Sequence, residues 1–556
     1  MNILITGPAG SGIQTIENLL CSILKEEYYV FSTKEYMSRI RGGANTTTIR
    51  VEAKRVNAFS SRIDLLLSLD RRGLDRIQER INDRTLIFGD VETESQTAFR
   101  INFDQIASEI GHKVFANSVA TGFILGFLRR DKEKAEEITG AFFKEKGDEA
   151  IRKNREAFSR GYSLGKDMAE KIDFSLEIER ETRIKNELFL NGAQAIGLGA
   201  LSGGCNFVSS YPMTPSTPVF TFLAEKAPRF NLIVEQAEDE IAAINMVLGS
   251  WYAGGRGLVT TSGGGFALMV EALSLAGMIE SPLVIHLGQR PGPATGLPTR
   301  TEQADLLFSL FAGHGEFPRL IFAPGDLLEG IWLTWKAFNL ADKYQMPVII
   351  LTDQYFIDTY YHLEPPEKEK FKPEYYFEEN TPPDYKRYQF SPDGLTPRAV
   401  PGGNGFVCVD SDEHDEEGHI TEDRLMRKLM VEKRNKKLEK FKANDMIKPS
   451  FFGPEPYEIL LISWGSTKNM VLEALERIED KRIAFLHLPL VYPLPETLGK
   501  YLDKARKTII IENNYTAQLA RLIRMETGFE IKEKILKYDG HPFSVEEIEQ
   551  ELGRRI

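Results

Sequence analysis

Short apolar runs alternate with amphipathic stretches over most of the chain, a rhythm that predicts strands joined by helices. Asn2–Thr6 is a short apolar strand, Gly7-Pro8-Ala9-Gly10-Ser11-Gly12 is a loop, and Ile13, Ile16, Leu19 and Leu20 follow at helical spacing. Leu65–Leu69 and Thr85–Phe88 predict buried strands. Charged helices over Asp131–Ile138 and Ala150–Phe158 close a first α/β domain at 1–175. Asp173–Asn186 is charged, has little apolar face and reads as a linker. A second domain, 186–363, has strand patterns at Phe207–Ser209, Leu232–Glu235, Leu258–Thr261, Leu283–Leu287, Arg319–Phe322 and Val348–Leu351. Helical stretches separate most of them, as in a parallel βαβ sheet. The segment 364–450 is rich in Pro, Tyr and charge, carries a helical pattern over Thr421–Phe441, and reads as an arm lying across a neighbouring surface. Ile459–Ser463, Ile483–Leu486 and Thr508–Glu512 then return the last domain, 451–556, to α/β.

At 556 residues the chain is too long for one core and suggests about three or four domains. Its apolar share of 42% and charged share of 27% are those of a soluble globular protein. A net charge of −12 argues against nucleic acid and against an acidic membrane surface as partner. The first residues lack the pattern of a signal peptide, and no apolar run approaches the roughly 20 residues that span a bilayer, so a cytoplasmic protein is expected. Cys21, Cys205 and Cys408 lie far apart with no C-x-x-C pair. They suit a reducing compartment and leave this chain without a four-thiolate metal or iron–sulfur site. No metal site is expected on it.

The glycine loop is the first candidate site. Backbone N–H groups at a helix N-terminus attract anions. Yet Ile13-Gln14 stands where a Walker A loop has Lys and a hydroxyl residue, and the glycine spacing is not that of a dinucleotide fingerprint. A phosphate-bearing ligand at Gly7, Gly10, Ser11 and Gly12 and a purely structural tight turn both remain open. In the acidic run Glu235–Glu240, helix-dipole pairing accounts for Glu238 and Asp239. Glu240 heads an apolar helix that ends near Gly249, and this spacing resembles the helix carrying the cofactor-activating glutamate of thiamine diphosphate enzymes. A buried carboxylate needs such a partner to offset its desolvation. The Gly-Asp-Gly string that holds Mg²⁺ and the diphosphate in those enzymes is absent here, so a second chain would supply that half. The turn Tyr211-Pro212-Met213-Thr214-Pro215 follows a strand and precedes a helix. Capping by Thr214 or Ser216 explains one hydroxyl but not the rigid string. The loop after Leu287, Gly288 to Gln303, holds Arg290 and Arg300 among glycines and prolines, and arginine offers a planar fork to an anionic 2-oxo acid.

Five strings in order, Tyr211-Pro-Met-Thr-Pro-Ser, Glu238-Asp-Glu-Ile-Ala-Ala, Thr261-Ser-Gly-Gly-Gly-Phe, Gln289-Arg-Pro-Gly-Pro-Ala-Thr-Gly-Leu-Pro-Thr-Arg and Gly313-His-Gly-Glu-Phe-Pro, resemble the alpha subunit of 2-oxoacid:ferredoxin oxidoreductases, most closely the 2-oxoglutarate type. The resemblance continues through Glu413-His, Gly418-His-Ile, Glu432-Lys-Arg, Glu512-Asn-Asn and Tyr538-Asp-Gly. The N-terminal domain resembles the gamma subunit, with Arg41-Gly-Gly-Ala shared. Met213, Ala294 and Gly264 stand where Ile, Ser and Pro are usual; Ala294 removes a hydroxyl near the substrate loop and bears on side-chain selectivity. The implied fold class is α/β with three α/β domains: the gamma type, a pyrimidine-side thiamine diphosphate-binding parallel sheet, and a transketolase C-terminal-like domain.

That resemblance implies a reversible reaction in which 2-oxoglutarate, coenzyme A and oxidised ferredoxin give succinyl-CoA, CO₂ and reduced ferredoxin, in the tricarboxylic acid cycle or in CO₂ fixation. Thiamine diphosphate and Mg²⁺ lie mostly on a beta subunit, which also carries a [4Fe–4S] cluster, in an (alpha-beta)₂ heterotetramer. Glu240 and Thr214 act catalytically. Tyr211, Pro212, Thr214, Arg290, Thr295 and Arg300 bind substrate, and the Gly7–Gly12 loop contacts coenzyme A. The same chemistry on pyruvate, branched-chain or a broad range of 2-oxo acids is the nearest alternative. A self-sufficient decarboxylase lacks its Gly-Asp-Gly. A nucleotide-binding regulatory protein, read from the first loop, explains neither the turn nor the arginine loop.

Overall fold

The apolar runs at the start of the chain become β1 (Asn2–Pro8), β4 (Leu65–Ser68) and β5 (Leu86–Gly89), joined by β2 (Tyr29–Glu35), β3 (Ala44–Glu52), β6 (Ala98–Arg100), β7 (Leu188–Asn191) and the distant strand Tyr360–Leu363. The computed structural model describes residues 1–37, 44–70, 74, 77–91 and 97–556; Arg41-Gly-Gly lies outside them. The chain folds as two compact units, Met1–Leu190 with Thr359–Pro365, and Asn191–Asp358 with Pro366–Ile556. In the first, β1 runs parallel to β4 and antiparallel to β3. Hydrophobicity does not announce β3, because Thr46, Thr47, Thr48 and Arg50 are buried in it. β-branched threonines suit a strand regardless, and the Arg50 guanidinium donates from Nη1 to the Ala58 carbonyl at 2.6 Å. On the sheet, the helices Ala116–Phe127 and Asp148–Lys171 cross at near backbone contact. A Cβ on Gly122 would lie 2.1 Å from the Phe158 carbonyl oxygen, and one on Gly161 would lie 2.0 Å from that of Val119.

The second unit holds a seven-stranded sheet. Its parallel members are β8 (Phe207–Ser210), β9 (Ile233–Gln236), β10 (Gly257–Ser262), β11 (Leu283–Gln289), β12 (Leu320–Phe322) and β13 (Pro347–Asp353). They lie in the order β12-β13-β11-β10-β8-β9. Beyond β12 sits a short antiparallel strand, Leu490–Tyr492. It is bracketed by Pro489 and Pro493 and therefore reads as loop, yet proline is compatible with a sheet edge. A five-stranded sheet formed by Ser450–Phe452, Ile459–Trp464, Ile483–Leu488, Lys507–Glu512 and Glu533–Leu536 completes the unit. One apolar core runs through both sheets. Tyr360–Leu363, grouped with the second domain by pattern, instead joins the first unit's sheet beside β2.

The segment after 366 is tied to its own unit by buried charge. Asp342 receives Arg256 and Arg398, both at 2.8 Å. The helix Arg424–Asn444 buries Lys433 and Lys437 against Glu280, with Lys433 at 2.8 Å. Burial alone would push the Glu280 carboxyl up, but Lys437 and Lys433 hold it well below the usual range. Burial in turn pulls Lys437 down to about 7 against the attraction of Glu280. Removing one partner of such a buried cluster costs about 3–5 kcal/mol, because the charges left behind have no water. Glu280→Ala is therefore expected to lower denaturant-monitored stability by about that amount and to make the Arg424–Asn444 helix the first site of proteolysis. Unchanged stability would contradict this role for Glu280.

Candidate active site

Four neighbouring strands deliver the candidate residues to one edge. β9 leads into the helix Glu240–Tyr252, β8 into the Tyr211–Pro215 turn, β10 into the helix Gly263–Met278, and β11 into the arginine loop. Ser210 pairs with Gln236, Ser262 with Gly288, and Gln289 with Asp353, so all these departures start from the carboxyl ends of parallel strands. Ligands of open α/β sheets bind at that edge.

Glu240 opens its helix behind the Asp239 N-cap, whose side chain accepts from the Ala242 N–H at 2.7 Å. Glu240 is 4% exposed, and its Oε1 has no hydrogen-bond partner among the described residues. A Cβ on Gly265 would stand 2.7 Å from that oxygen and 2.2 Å from Thr261 Oγ1. Glycine at 265 is thus what allows the carboxylate to sit over the first turn of the neighbouring helix. The adjoining Ser262 is fully buried with its Oγ also unpartnered, while Gly264 faces open space.

The turn does not cap its helix. Ser216 occupies the N-cap position of Thr217–Phe230, but its hydroxyl donates backward to the Met213 carbonyl at 2.7 Å. Among the described residues the Thr214 hydroxyl has no partner, and Thr214 is half-buried. Its carbonyl accepts from Arg290 Nη1 at 2.7 Å, which joins the turn to the arginine loop. Arg290 Nε is buried with no hydrogen-bond partner among the described residues. Burial lowers the Arg290 pKa, with Asp305 opposing the shift. Thr295 lies at the exposed tip of the loop, and Arg300 packs at its base, where a Cβ on Gly540 would meet its Cβ at 3.2 Å. Tyr211 is exposed and Pro212 half-buried.

Two carboxyls that the sequence reading passed over stand here, Asp305 beside Arg290 and Glu302 near Asp305. Burial raises Asp305 to about 6, against the pull of Arg290. Burial, followed by repulsion from Asp305, raises Glu302 to about 7. His286 was missed as well: Thr260 and Thr352 hold its ring nitrogens at 2.7 and 2.8 Å across three strands, and burial lowers it to about 3. It is a neutral structural link. Among the described residues, no group of three or more His, Cys, Asp or Glu is placed to hold a metal, and no helix is long and apolar enough to cross a membrane.

In the first unit, Gly12 precedes the helix Ile13–Leu24 at φ +79°, and a Cβ there would overlap Asn117 Nδ2 at 1.9 Å. Gly10, at φ +88°, faces open space. Ser11 Oγ is buried without a partner. The loop forms a ridge between clefts of about 650 and 330 Å³ at the ends of β1 and its neighbours. Gly12 therefore serves packing, and Gly10 and Ser11 border space.

Known proteins share this arrangement. Residues 198–433 match a family described as pyruvate flavodoxin/ferredoxin oxidoreductase, thiamine diphosphate-binding. Residues 2–164 match one described as pyruvate ferredoxin/flavodoxin oxidoreductase. The 2-oxoacid:ferredoxin oxidoreductase subunit alpha of a Sulfolobus species is 32% identical, the match covering 99% of this chain and 96% of that one. The 2-oxoglutarate synthase subunit KorA of Methanocaldococcus jannaschii is 32% identical over 59% of this chain and 88% of its own. A solved 2-oxoglutarate:ferredoxin oxidoreductase from Magnetococcus marinus, with 2-oxoglutarate, coenzyme A and succinyl-CoA bound, superimposes with a TM-score of 0.92 at 30% identity, covering 100% of this chain and 99% of that one. Identity at that level along nearly the whole length of both chains, over a fold that matches end to end, means that this chain belongs to the 2-oxoacid:ferredoxin oxidoreductases, as an alpha subunit.

Proposed function

We propose that this chain forms the substrate-gripping wall of a 2-oxoglutarate:ferredoxin oxidoreductase whose active site is shared with a beta subunit. The observation that carries the reading is the Glu240 carboxylate, buried with one oxygen unbonded in a cradle that only glycine permits. That oxygen fits the protonated aminopyrimidine N1′ of thiamine diphosphate. The chemistry the cofactor supplies when bound is a nucleophilic thiazolium carbon and an electron sink for loss of CO₂. Glu240 holds the N1′ proton. Thr214 presents its free hydroxyl to the oxo or carboxylate oxygen, and Arg290, braced on the Thr214 carbonyl, offers its remaining N–H groups to carboxylate. Tyr211, Pro212, Thr295 and Arg300 frame the substrate.

The beta subunit would hold the diphosphate, Mg²⁺ and a [4Fe–4S] cluster that passes electrons to ferredoxin, in an (alpha-beta)₂ assembly in the cytoplasm. Support for such a partner comes from apolar side chains left exposed on the elements that bear the site, Ile233 at 63%, Ile241 at 47% and Leu268 at 51%. The first unit would act as a built-in gamma domain, with Gly7, Gly10, Ser11 and Gly12 beside coenzyme A, the acyl acceptor. The 2-oxoglutarate preference rests on the ligands of the Magnetococcus structure and on the KorA relative. A broader 2-oxo acid range is favoured by the generic name of the Sulfolobus relative.

Copurification with the beta chain, followed by a panel of 2-oxo acids with coenzyme A and a viologen acceptor, tests the reading; 2-oxoglutarate should lead, and no oxo-acid-dependent reduction would overturn it. Glu240→Gln should lower turnover by about 10²-fold or more with assembly intact. Gly265→Ala should act in the same direction by displacing the carboxylate; near-normal turnover in both would remove Glu240 from the mechanism. The raised carboxyls give a pH signature with a definite sign. Asp305 and Glu302 are neutral below about 6 and 7 and become anionic above those values. Negative charge on Asp305 beside Arg290, joined by that on Glu302 near Asp305, competes with the substrate anion, so KM should rise from pH 6 to pH 8. Asp305→Asn should flatten the lower part of that rise, and an unaltered profile would dissociate Asp305 from substrate binding.

A further inference from the structure

The arginine loop is closed on itself at its feet. Asp305 N–H donates to Gln289 Oε1 at 3.0 Å across 16 positions, and Gln289 Nε2 donates to the Thr352 carbonyl on β13 at 3.2 Å. Tyr355 N–H donates to Thr301 Oγ1 at 3.3 Å, and further anchoring comes from the five-stranded sheet and the segments that follow its strands. Gln303 is fully buried and uses its backbone and its side chain together. Its N–H donates to the Asn513 carbonyl at 2.7 Å, and its Oε1 accepts the Asn513 N–H at 3.1 Å. Its Nε2 donates to the Trp464 carbonyl at 2.9 Å, and its carbonyl accepts from Asn514 Nδ2 at 3.1 Å. Gly465 makes room: it stands at φ +59°, and a Cβ there would lie 2.6 Å from Gln303 Nε2. On either side, Thr301 N–H reaches the Gly540 carbonyl at 3.1 Å, and Gln518 Nε2 reaches the Ala304 carbonyl at 2.6 Å.

Trp464 ends one parallel strand, Asn513 follows the next, and Gly540 lies just past the third. The carboxyl edge of this sheet, where an α/β sheet ordinarily binds a ligand, is thus filled by the chain's own substrate loop. We infer that the last domain acts as a seat for that loop and that Gln303 is a positioning residue, acting through Arg290 on the 2-oxo acid. This rests on the oxo-acid reading of Arg290. A contact to the distal carboxylate, the one not lost as CO₂, is made in the ground state and kept in the transition state, so loss of its alignment raises KM more than it lowers kcat.

Gln303→Met keeps the length of the side chain and removes its donor and acceptor. In the enzyme assembled with its beta chain, KM for 2-oxoglutarate should rise about tenfold or more, with kcat held within about threefold. Asn514→Ala, which deletes the side-chain bond to the Gln303 carbonyl, should shift KM the same way by less. Combination with Arg290→Lys should be less than additive in KM. Amide hydrogen exchange over 292–301 should be faster in both single variants, an effect read without turnover. A fall in kcat and in thermal stability with KM unchanged would reduce Gln303 to a structural bolt and overturn the inference. Should the wild-type assembly reduce no acceptor with any 2-oxo acid, the functional reading fails. The exchange measurement still decides the seating of the loop, and unaltered exchange would overturn that.

Discussion

A carboxylate buried with an oxygen unbonded is costly, on the order of a few kcal/mol in a protein interior, and Glu240 bears that burden in a surrounding that enforces it. The Asp239 cap fixes the start of its helix, and the glycine at 265 brings the next helix close enough to shut water out. Thr261 and Ser262 end β10 just ahead of that helix, and Ser262 adds a second buried oxygen unbonded among the described residues. Such groups persist where a ligand completes them. On the neighbouring strands, the stiff turn after β8 and the loop after β11 meet through Arg290 and the Thr214 carbonyl. The carboxyl ends of these strands thus carry both the unbonded carboxylate oxygen and the braced guanidinium on which the proposal rests.

The two large sheets of the second unit divide the work. The seven-stranded sheet presents its carboxyl edge outward, and the five-stranded sheet spends its own on holding the arginine loop. A loop with an exposed, glycine- and proline-rich tip thereby gains a rigid base, as precise positioning of reacting groups requires. Buried ionic ties such as Asp342 and Glu280 bind the 366–448 segment to the same unit. Their contribution to net stability is modest by comparison with the penalty for breaking them.

Much of this was legible in the sequence. Apolar runs located β11, β12 and β13, which are buried along their length, while β8, β9 and β10 were marked by short apolar stretches ahead of polar ends. Tyr211–Pro215, Glu240 and the Arg290 loop were visible as residue types that local structure does not need. β3 was hidden by its buried threonines, and Leu490–Tyr492 by the prolines around it. Gln303, Asp305 and Glu302 sat in plain view as ordinary polar loop residues. Their roles come from partners more than a hundred residues away or from burial, which no local pattern encodes. Gly265 carries no local signal in the sequence, since its meaning lies in the missing Cβ beside Glu240.

The central claim is that Glu240 governs proton removal at the reactive thiazolium carbon. The direct measurement is the rate at which the C2 proton of thiamine diphosphate exchanges with deuterated water in the assembled enzyme, followed by acid quench and NMR. Glu240→Gln should slow that exchange by about 10²-fold or more relative to wild type while the cofactor stays bound. Equal exchange rates with equal cofactor occupancy would contradict the account.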